Sequence, residues 1–201
     1  MVRLEVPANI PAVPLVELLK RRMSHREFLD SPLTLDEVSI LLWAALGYRE
    51  QSGSGRTVPS AGALYPVEIQ MVVGKGGVKE LDEGAYSYLP QVHSLEIMKR
   101  GDLRQDLVRA ALSQDFLGRA PLVIVMSADV GKTTLYYGKR GMRYVHMDVG
   151  HVGQNVYLMA QALGLGTCAV GAFQDERIAA VLGLPKDLFP FYLMPVGRVG
   201  E

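Results

Sequence analysis

YVHMDVGHVGQNVYLMAQALGLGTCAVGAF, residues 144 to 173, is the stretch that decides the fold. Val145, Val149, Val152, Val156, Met159 and Leu163 recur at spacings of three and four. That period puts them on one face of a long helix, predicted over 144–163. The apolar face is wide, so the helix sits centrally and not on a rim. Gly164 and Gly166 stop it. The chain from Thr167 to Ala172 reads as a short strand or extended loop of small residues. Such a turn lets backbone N–H groups approach a ligand edge closely. Close helix–strand packing also asks for small residues, so this stretch alone leaves both readings open.

The rest of the chain supplies a sheet and further helices. A first helix is predicted over 14–22, with Pro14 in its first turn and Val16, Leu19 and Met23 at helical spacing. Thr34 and Glu37 form a capping-box pattern, Val38, Leu41, Leu42 and Ala45 line one face, and Gly47 ends that helix. Residues 67–73 and the apolar run 122–128 read as strands. Segments 84–89 and 93–98 read as a hairpin around Pro90-Gln91. Asp102 with Gln105 marks a helix start running to about Gln114. Residues 175–182 read as a helix and 191–198 as a last strand. No repeat or linker divides the chain. The expectation is one α+β domain over 1–201, close to three layers.

Bulk composition excludes more than it assigns. The chain has 201 residues, 49% hydrophobic and 21% charged, with 21 basic against 21 acidic side chains. That balance offers no electrostatic case for nucleic acid or an anionic membrane. Cys168 is the single cysteine, so no internal disulfide forms. The apolar stretches are broken by Gly, Pro or charge, too short for a membrane span. The first fourteen residues lack the basic-then-apolar order of a signal peptide. The expected location is the cytoplasm.

Two further segments carry chemistry. Arg21-Arg22-Met23-Ser24-His25-Arg26 groups guanidinium groups beside a hydroxyl at a helix end. Arginine binds phosphate in a planar, bidentate way and stays charged. A solvated basic helix end would carry the same residues. Pro59-Ser60-Ala61-Gly62-Ala63-Leu64-Tyr65-Pro66 sets small residues between prolines. It suits close approach to a planar ligand, and equally a surface turn before a strand.

Taken in order, RRMSHR, PSAGALYP, and GLGTCAVGAF followed by a helix and LGLP resemble the nitroreductase superfamily. RYVHMDVGH followed by Gln154-Asn155 is similar to its SagB-type dehydrogenase branch. The likeness runs from about Arg21 to Arg198. It implies a nitroreductase-like three-layer α/β/α fold with a central, mostly antiparallel sheet. It also implies a homodimer that binds FMN at the subunit interface. Arg22, Ser24 and Arg26 match the family positions that hold phosphate and ribityl chain, with His25 among them. Pro59, Ser60, Ala61 and Ala63 match the loop that reaches the flavin from the partner subunit. Gln114 matches an amide at the isoalloxazine edge. Val170, Gly171 and Ala172 match the turn whose N–H groups approach N5 and O4. Arg198 matches a late phosphate contact.

The implied reaction is hydride transfer through flavin N5, with NADH or NADPH as donor and a small quinone or nitroaromatic as acceptor. The alternatives are a SagB-like azoline dehydrogenase and a non-redox flavin-binding partner in a peptide-modifying complex. The chain departs from the family at three places. Ala63 stands where many relatives have Asn, and Gly171 where many have Glu. Azoline dehydrogenases carry a Lys-Tyr pair where this chain has Tyr136-Tyr137. These two tyrosines are the candidate catalytic acid–base groups. Lys139 and Arg140 lie close enough in sequence to substitute for the lysine.

Three features are set aside. Gly131-Lys132-Thr133-Thr134 lacks the glycine of a phosphate-binding loop, because position 126 is Met126. His146 and His151 are five apart and splay on a helix, so no metal site is expected. Cys168 reads as a small buried hydrophobe before a reactive thiol. Residues 51–56 and 129–142 are the expected covers of the open ligand face, being polar and glycine-containing.

Overall fold

The computed structural model of the chain describes residues 1–5, 8–49 and 55–200. Strand β5 (Leu122–Asp129) is buried at every residue from Leu122 to Ala128. A strand dry on both faces needs a layer on each side. Its neighbours are β2 (Val67–Val73) and β7 (Leu188–Arg198), both antiparallel to it. Beyond β2 come β3 (Gly84–Leu89), β4 (Ser94–Arg100) and the two-residue β1 (Val2–Arg3). Beyond β7 comes β6 (Leu165–Thr167). The sheet order is β1-β4-β3-β2-β5-β7-β6, with every strand pairing antiparallel.

Helices cover both faces. On one, α2 (Leu35–Leu46) and α6 (Gly141–Ala162) pack Leu41, Leu42, Val145, Val149, Val152 and Val156 onto Ile69, Met71, Ile124 and Met126. On the other, α3 (Arg104–Ala110), α4 (Phe116–Arg119) and α7 (Asp175–Leu182) pack Leu107, Leu117 and Ile178 onto Val123, Val125 and Leu193. This is the α+β, three-layer arrangement with an antiparallel sheet that the sequence predicts. Each buried valine of α6 stabilises the fold by about 1.5–3 kcal/mol. Helix α1 (Leu15–Arg21) buries none of its residues. Among the described residues no helix is long and apolar enough to cross a membrane.

Local chemistry explains most element ends. The Thr34–Glu37 capping box forms in full, and Gly47 caps α2. Helix α3 differs from expectation: it ends at Ala110, not near Gln114. The Asp102 carboxylate does not cap with Gln105. It accepts from the N–H groups of Lys75 and Arg104 and pairs with the Arg104 guanidinium. Leu112 and Ser113 then take positive φ, which breaks the helix.

Residues 129–142 are mostly helical. Asp129 accepts from the Lys132 N–H and caps helix α5 (Val130–Tyr137). A 3-10 turn, Gly138–Arg140, then hands the chain directly into α6, which starts at Gly141. Of the other expected cover, Gln51 to Ser54 lie outside the described residues. Arg56 lies over the rings of Tyr48 and Tyr65, at 5.0 and 4.7 Å.

A buried polar chain ties the N-terminal strand down. Ser39 Oγ donates to the Glu5 carbonyl at 2.6 Å. His93 Nε2 meets Ser39 Oγ at 2.8 Å, and Tyr88 Oη meets His93 Nδ1 at 2.8 Å. Since the Ser39 proton is spent on Glu5, Nε2–H donates to Ser39 Oγ, and in the neutral ring Nδ1 accepts the Tyr88 hydroxyl proton. Burial pushes the His93 pKa below its ordinary 6.5, and the Glu5 carbonyl only partly offsets this. A depressed folded pKa means stability is intact above pH 6.5 and falls as the pH drops below it. We expect the urea midpoint to fall between pH 7.5 and 5.0 more steeply in the parent than in His93→Gln. Equal slopes would show that His93 does not couple folding to pH.

Candidate functional site

The phenol of Tyr157 on α6 is where two of the sequence motifs meet. Its hydroxyl lies 2.9 Å from Ser24 Oγ and accepts the Ala169 N–H at 2.7 Å. The Arg22 guanidinium lies over its ring at 5.1 Å. Backbone pairing reinforces the junction. Ser24 and Thr167 form a parallel bridge, and the His25 N–H donates to the Thr167 carbonyl at 2.9 Å. Arg26 lies over the Phe116 ring at 5.9 Å. Segment 22–26 thus runs along the outer edge of β6 beside the 167–172 turn.

That turn offers few free donors. The Val170 N–H is spent on the Leu193 carbonyl at 2.9 Å. Gly171 and Ala172 are exposed, and their N–H groups have no protein acceptor among the described residues. Gln114 braces the turn by donating to the carbonyls of Ala172 and Ala111 at 2.8 and 2.9 Å. Within this cluster Arg22 and Arg26 have no carboxylate within 4 Å among the described residues. Thr167 Oγ1 is buried without a partner. Two guanidiniums without a carboxylate, a serine hydroxyl and two N–H groups without a protein acceptor make a donor set that suits an oxyanion.

The PSAGALYP loop sits elsewhere. Ser60 Oγ donates to Asp148 Oδ2 at 2.6 Å and accepts the Tyr65 N–H at 2.9 Å. A Cβ on Gly62 would come within 2.6 Å of the Tyr137 hydroxyl, so the loop lies tight on α5. Asp148 and Tyr157 are nine residues apart on one helix. Nine steps of about 100° put them on opposite flanks, about 13.5 Å apart along the axis. Within one chain, Pro59, Ser60, Ala61 and Ala63 are not brought to Arg22, Ser24, Arg26, Gly171 or Ala172.

Four expected residues land differently. Arg198 spends an Nη2 group on both Glu37 oxygens, at 2.9 and 3.1 Å, so the end of β7 is tethered to the first turn of α2. Tyr136 is 72% exposed, and Tyr137 packs edge-on against Tyr136 and Tyr144. Both tyrosines lie on the loop side of α6, away from the Tyr157 cluster. Val170 has no free N–H, as above. Tyr157 itself and the loop-holding role of Asp148 are not visible in the motifs. A tyrosine on the polar flank of the long helix is the signal that marks the first.

Burial governs the two titratable groups nearby. It raises the Asp148 pKa, with the Ser60 and Ala61 hydrogen bonds acting against it. It also pushes the Cys168 thiol up, and Arg26 only partly opposes this, so the inert, buried reading of Cys168 fits. Among the described residues no His, Cys, Asp and Glu group could hold a metal ion.

Residues 19–198 match the Nitroreductase family. MJ1384 of Methanocaldococcus jannaschii, a protein named as a nitroreductase, is 47% identical over 190 residues, covering 94% of this chain and 93% of that protein. The microcin B17-processing protein McbC of Escherichia coli is 28% identical over 174 residues, covering 84% of this chain and 64% of McbC. A crystal structure from Ralstonia eutropha JMP134, also named as a nitroreductase, superposes with a TM-score of 0.87. It is 30% identical and covers 100% of this chain and 90% of its own.

Tyr157→Phe removes only the bridging hydroxyl and leaves a part-buried N–H unpaired. That loss costs about 1–2 kcal/mol. Hydrogen exchange at the Ala169 amide should quicken by roughly 5–30-fold. Unchanged protection there would mean that the hydroxyl does not hold the turn.

Proposed function

The chain belongs to the nitroreductase family, and we propose that it is a cytoplasmic, FMN-dependent oxidoreductase that works as a homodimer of single domains. The observation that carries this reading is the meeting of segment 22–26 with residues 167–169, at the start of the Gly171–Ala172 turn, through Tyr157. Arg22 and Arg26 take the FMN phosphate, with Ser24 as hydroxyl donor and His25 fixing the strand through its backbone. Gly171 and Ala172 offer their N–H groups to the ring edge, beside the Gln114 amide that braces the turn. Bound FMN supplies hydride acceptance and donation at N5. The protein's part is to orient donor and acceptor and to stabilise charge on the ring edge. The hydride donor is NADH or NADPH, and the acceptor a small quinone or nitroaromatic.

The homodimer completes the site. Pro59, Ser60, Ala61 and Ala63 lie on the far flank of α6 from Tyr157, so a second copy must bring them to the flavin. Helix α1 supports such a contact, because Leu15, Val16 and Leu19 expose 59%, 60% and 54% of their surface just before Arg22.

A second reading draws on the similarity to McbC, a microcin-processing protein. In it the chain oxidises azolines in peptides, or binds flavin without turnover inside a peptide-modifying complex. Tyr136 stands where that chemistry expects lysine, and its high exposure leaves it poorly placed to act in its stead.

The purified protein should be yellow, or take up FMN on reconstitution. Arg22→Ala should keep its fold and bind FMN about ten- to a hundred-fold more weakly, the loss of one charge-assisted contact of roughly 1.5–3 kcal/mol. Unchanged occupancy would mean that the phosphate lies elsewhere. Anaerobic mixing with NADH or NADPH should bleach the flavin within the turnover time. No bleaching by either nucleotide would favour the non-redox reading.

A further inference from the structure

The 167–172 turn runs on as an edge beside β7. Val170 and Leu193 exchange both backbone hydrogen bonds, at 2.9 and 3.0 Å, in an antiparallel bridge. That register sets Gly171 across from Tyr192. Val170 and Leu193 point into the core under α7. Alternation turns Tyr192 to the opposite face, where it packs on the core under α6. A Cβ on Gly171 would lie 3.7 Å from one edge of the Tyr192 ring. A Cβ on Gly153 of α6 would lie 3.5 Å from the other edge.

A bulge gives Tyr192 this place. The β5–β7 register shifts between Met126 and Ser127, which leaves Phe191 as the extra residue. Such a bulge re-aims side chains. Phe191 and Tyr192 both pack on the α6 side, and Phe191 meets His146 edge-on at 5.4 Å. Tyr192 is half-buried, and Gly171 beside it is exposed. The Tyr192 hydroxyl has no hydrogen-bond partner among the described residues, nor is it one of their buried unpaired polar atoms, so it reaches solvent. The other protic side chains around the turn are engaged or buried. The Tyr157 hydroxyl is held by Ser24 and Ala169, and the Cys168 thiol is buried. Tyr136 and Tyr137 lie on the other side of α6. Tyr192 is the phenol beside the turn whose proton is not committed.

We propose that Tyr192 is the proton donor to the acceptor substrate at this site. The inference rests on the flavin reading above, which sets the ring edge at Gly171 and Ala172. An acceptor stacked there lies beside the residue that faces Gly171 across the strands. A quinone becomes a hydroquinone by gaining two electrons and two hydrogens. One hydrogen arrives with both electrons, as hydride from the reduced flavin, and forms the O–H at one carbonyl oxygen. The other carbonyl oxygen takes the phenol proton. The Tyr192 O–H bond breaks, a new O–H bond forms on the product, and the phenolate regains its proton from water. Donor and product are both phenols, which keeps the transfer close to balance.

The test is Tyr192→Phe, which keeps the ring between the two glycines and removes the hydroxyl. FMN-loaded parent and variant are reduced with dithionite and mixed anaerobically with an oxidant. Menadione, a quinone, should re-oxidise the variant about 100-fold more slowly than the parent. Ferricyanide takes electrons and no proton, and should re-oxidise both at the same rate. Equilibrium titration of the oxidised protein with menadione should show binding about 2–10-fold weaker in the variant, the loss of one hydrogen bond. Menadione re-oxidation or menadione binding that is unchanged in the variant overturns the proposal. So does equal slowing with both oxidants, since Tyr192 would then only shape the site. Tyr192→Leu serves the same comparison where Tyr192→Phe takes up no FMN, and loss of FMN in both variants also overturns it, because the side chain would then hold the cofactor. Failure of the flavin reading shows separately, as parent protein that takes up no FMN.

Discussion

Four valines fix the geometry of everything discussed above. Val145, Val149, Val152 and Val156 are at most 3% exposed and sit against the sheet. On a helical wheel they span only about 60°. Together their burial contributes on the order of 6–12 kcal/mol, as much as the net stability of a typical domain. The helix therefore cannot rotate. Once that face is pinned, every other residue of α6 has a fixed direction.

Two flanks follow from this. One carries Asp148 and Asn155. Asp148 holds the Ser60 loop, and Asn155 donates to the Ala44 and Thr57 carbonyls at 2.8 and 3.2 Å, tying the end of α2 to the chain after it. The other carries His146, Gly153 and Tyr157, and meets β7, the 167–172 turn and segment 22–26. The helix thus works as a partition. Each flank organises one part of a donor set, and neither part is reachable from the other in a single chain.

Much of this was legible in the sequence, for reasons that can be named. The 67–73 strand and the 175–182 helix agree with the structure to the residue, because a β-branched run and an amphipathic period leave little choice. The capping box at Thr34 was readable because it is purely local. The failures were non-local. Asp102 looked like a cap until Arg104 took its carboxylate. The helix over Val130–Tyr137 was not legible, because glycines at 131, 138 and 141 mask a segment that Asp129 caps and α6 supports. Arg198 looked free because its partner, Glu37, lies 161 positions away. The motif residues themselves were readable as residues, yet their division between two flanks needs the helix phase, and the hydroxyl of Tyr157 belongs to no motif.

The Ser60 loop shows what the buried carboxylate does. Gly62, Ala63 and Tyr65 have φ of 60°, 54° and 46°. The left-handed region suits glycine and costs about 1–2 kcal/mol at each of the other two. Such a loop persists only if its surroundings over-determine it. The Ser60 hydroxyl closes it onto the Tyr65 N–H, and Asp148 anchors that hydroxyl from α6. Asp148 is itself disfavoured, since burial raises its pKa against the stabilising bonds from Ser60 and Ala61. Two unfavourable terms, a strained loop and a desolvated carboxylate, are thus coupled on one flank of a helix whose phase is already fixed. A surface turn before a strand would need neither.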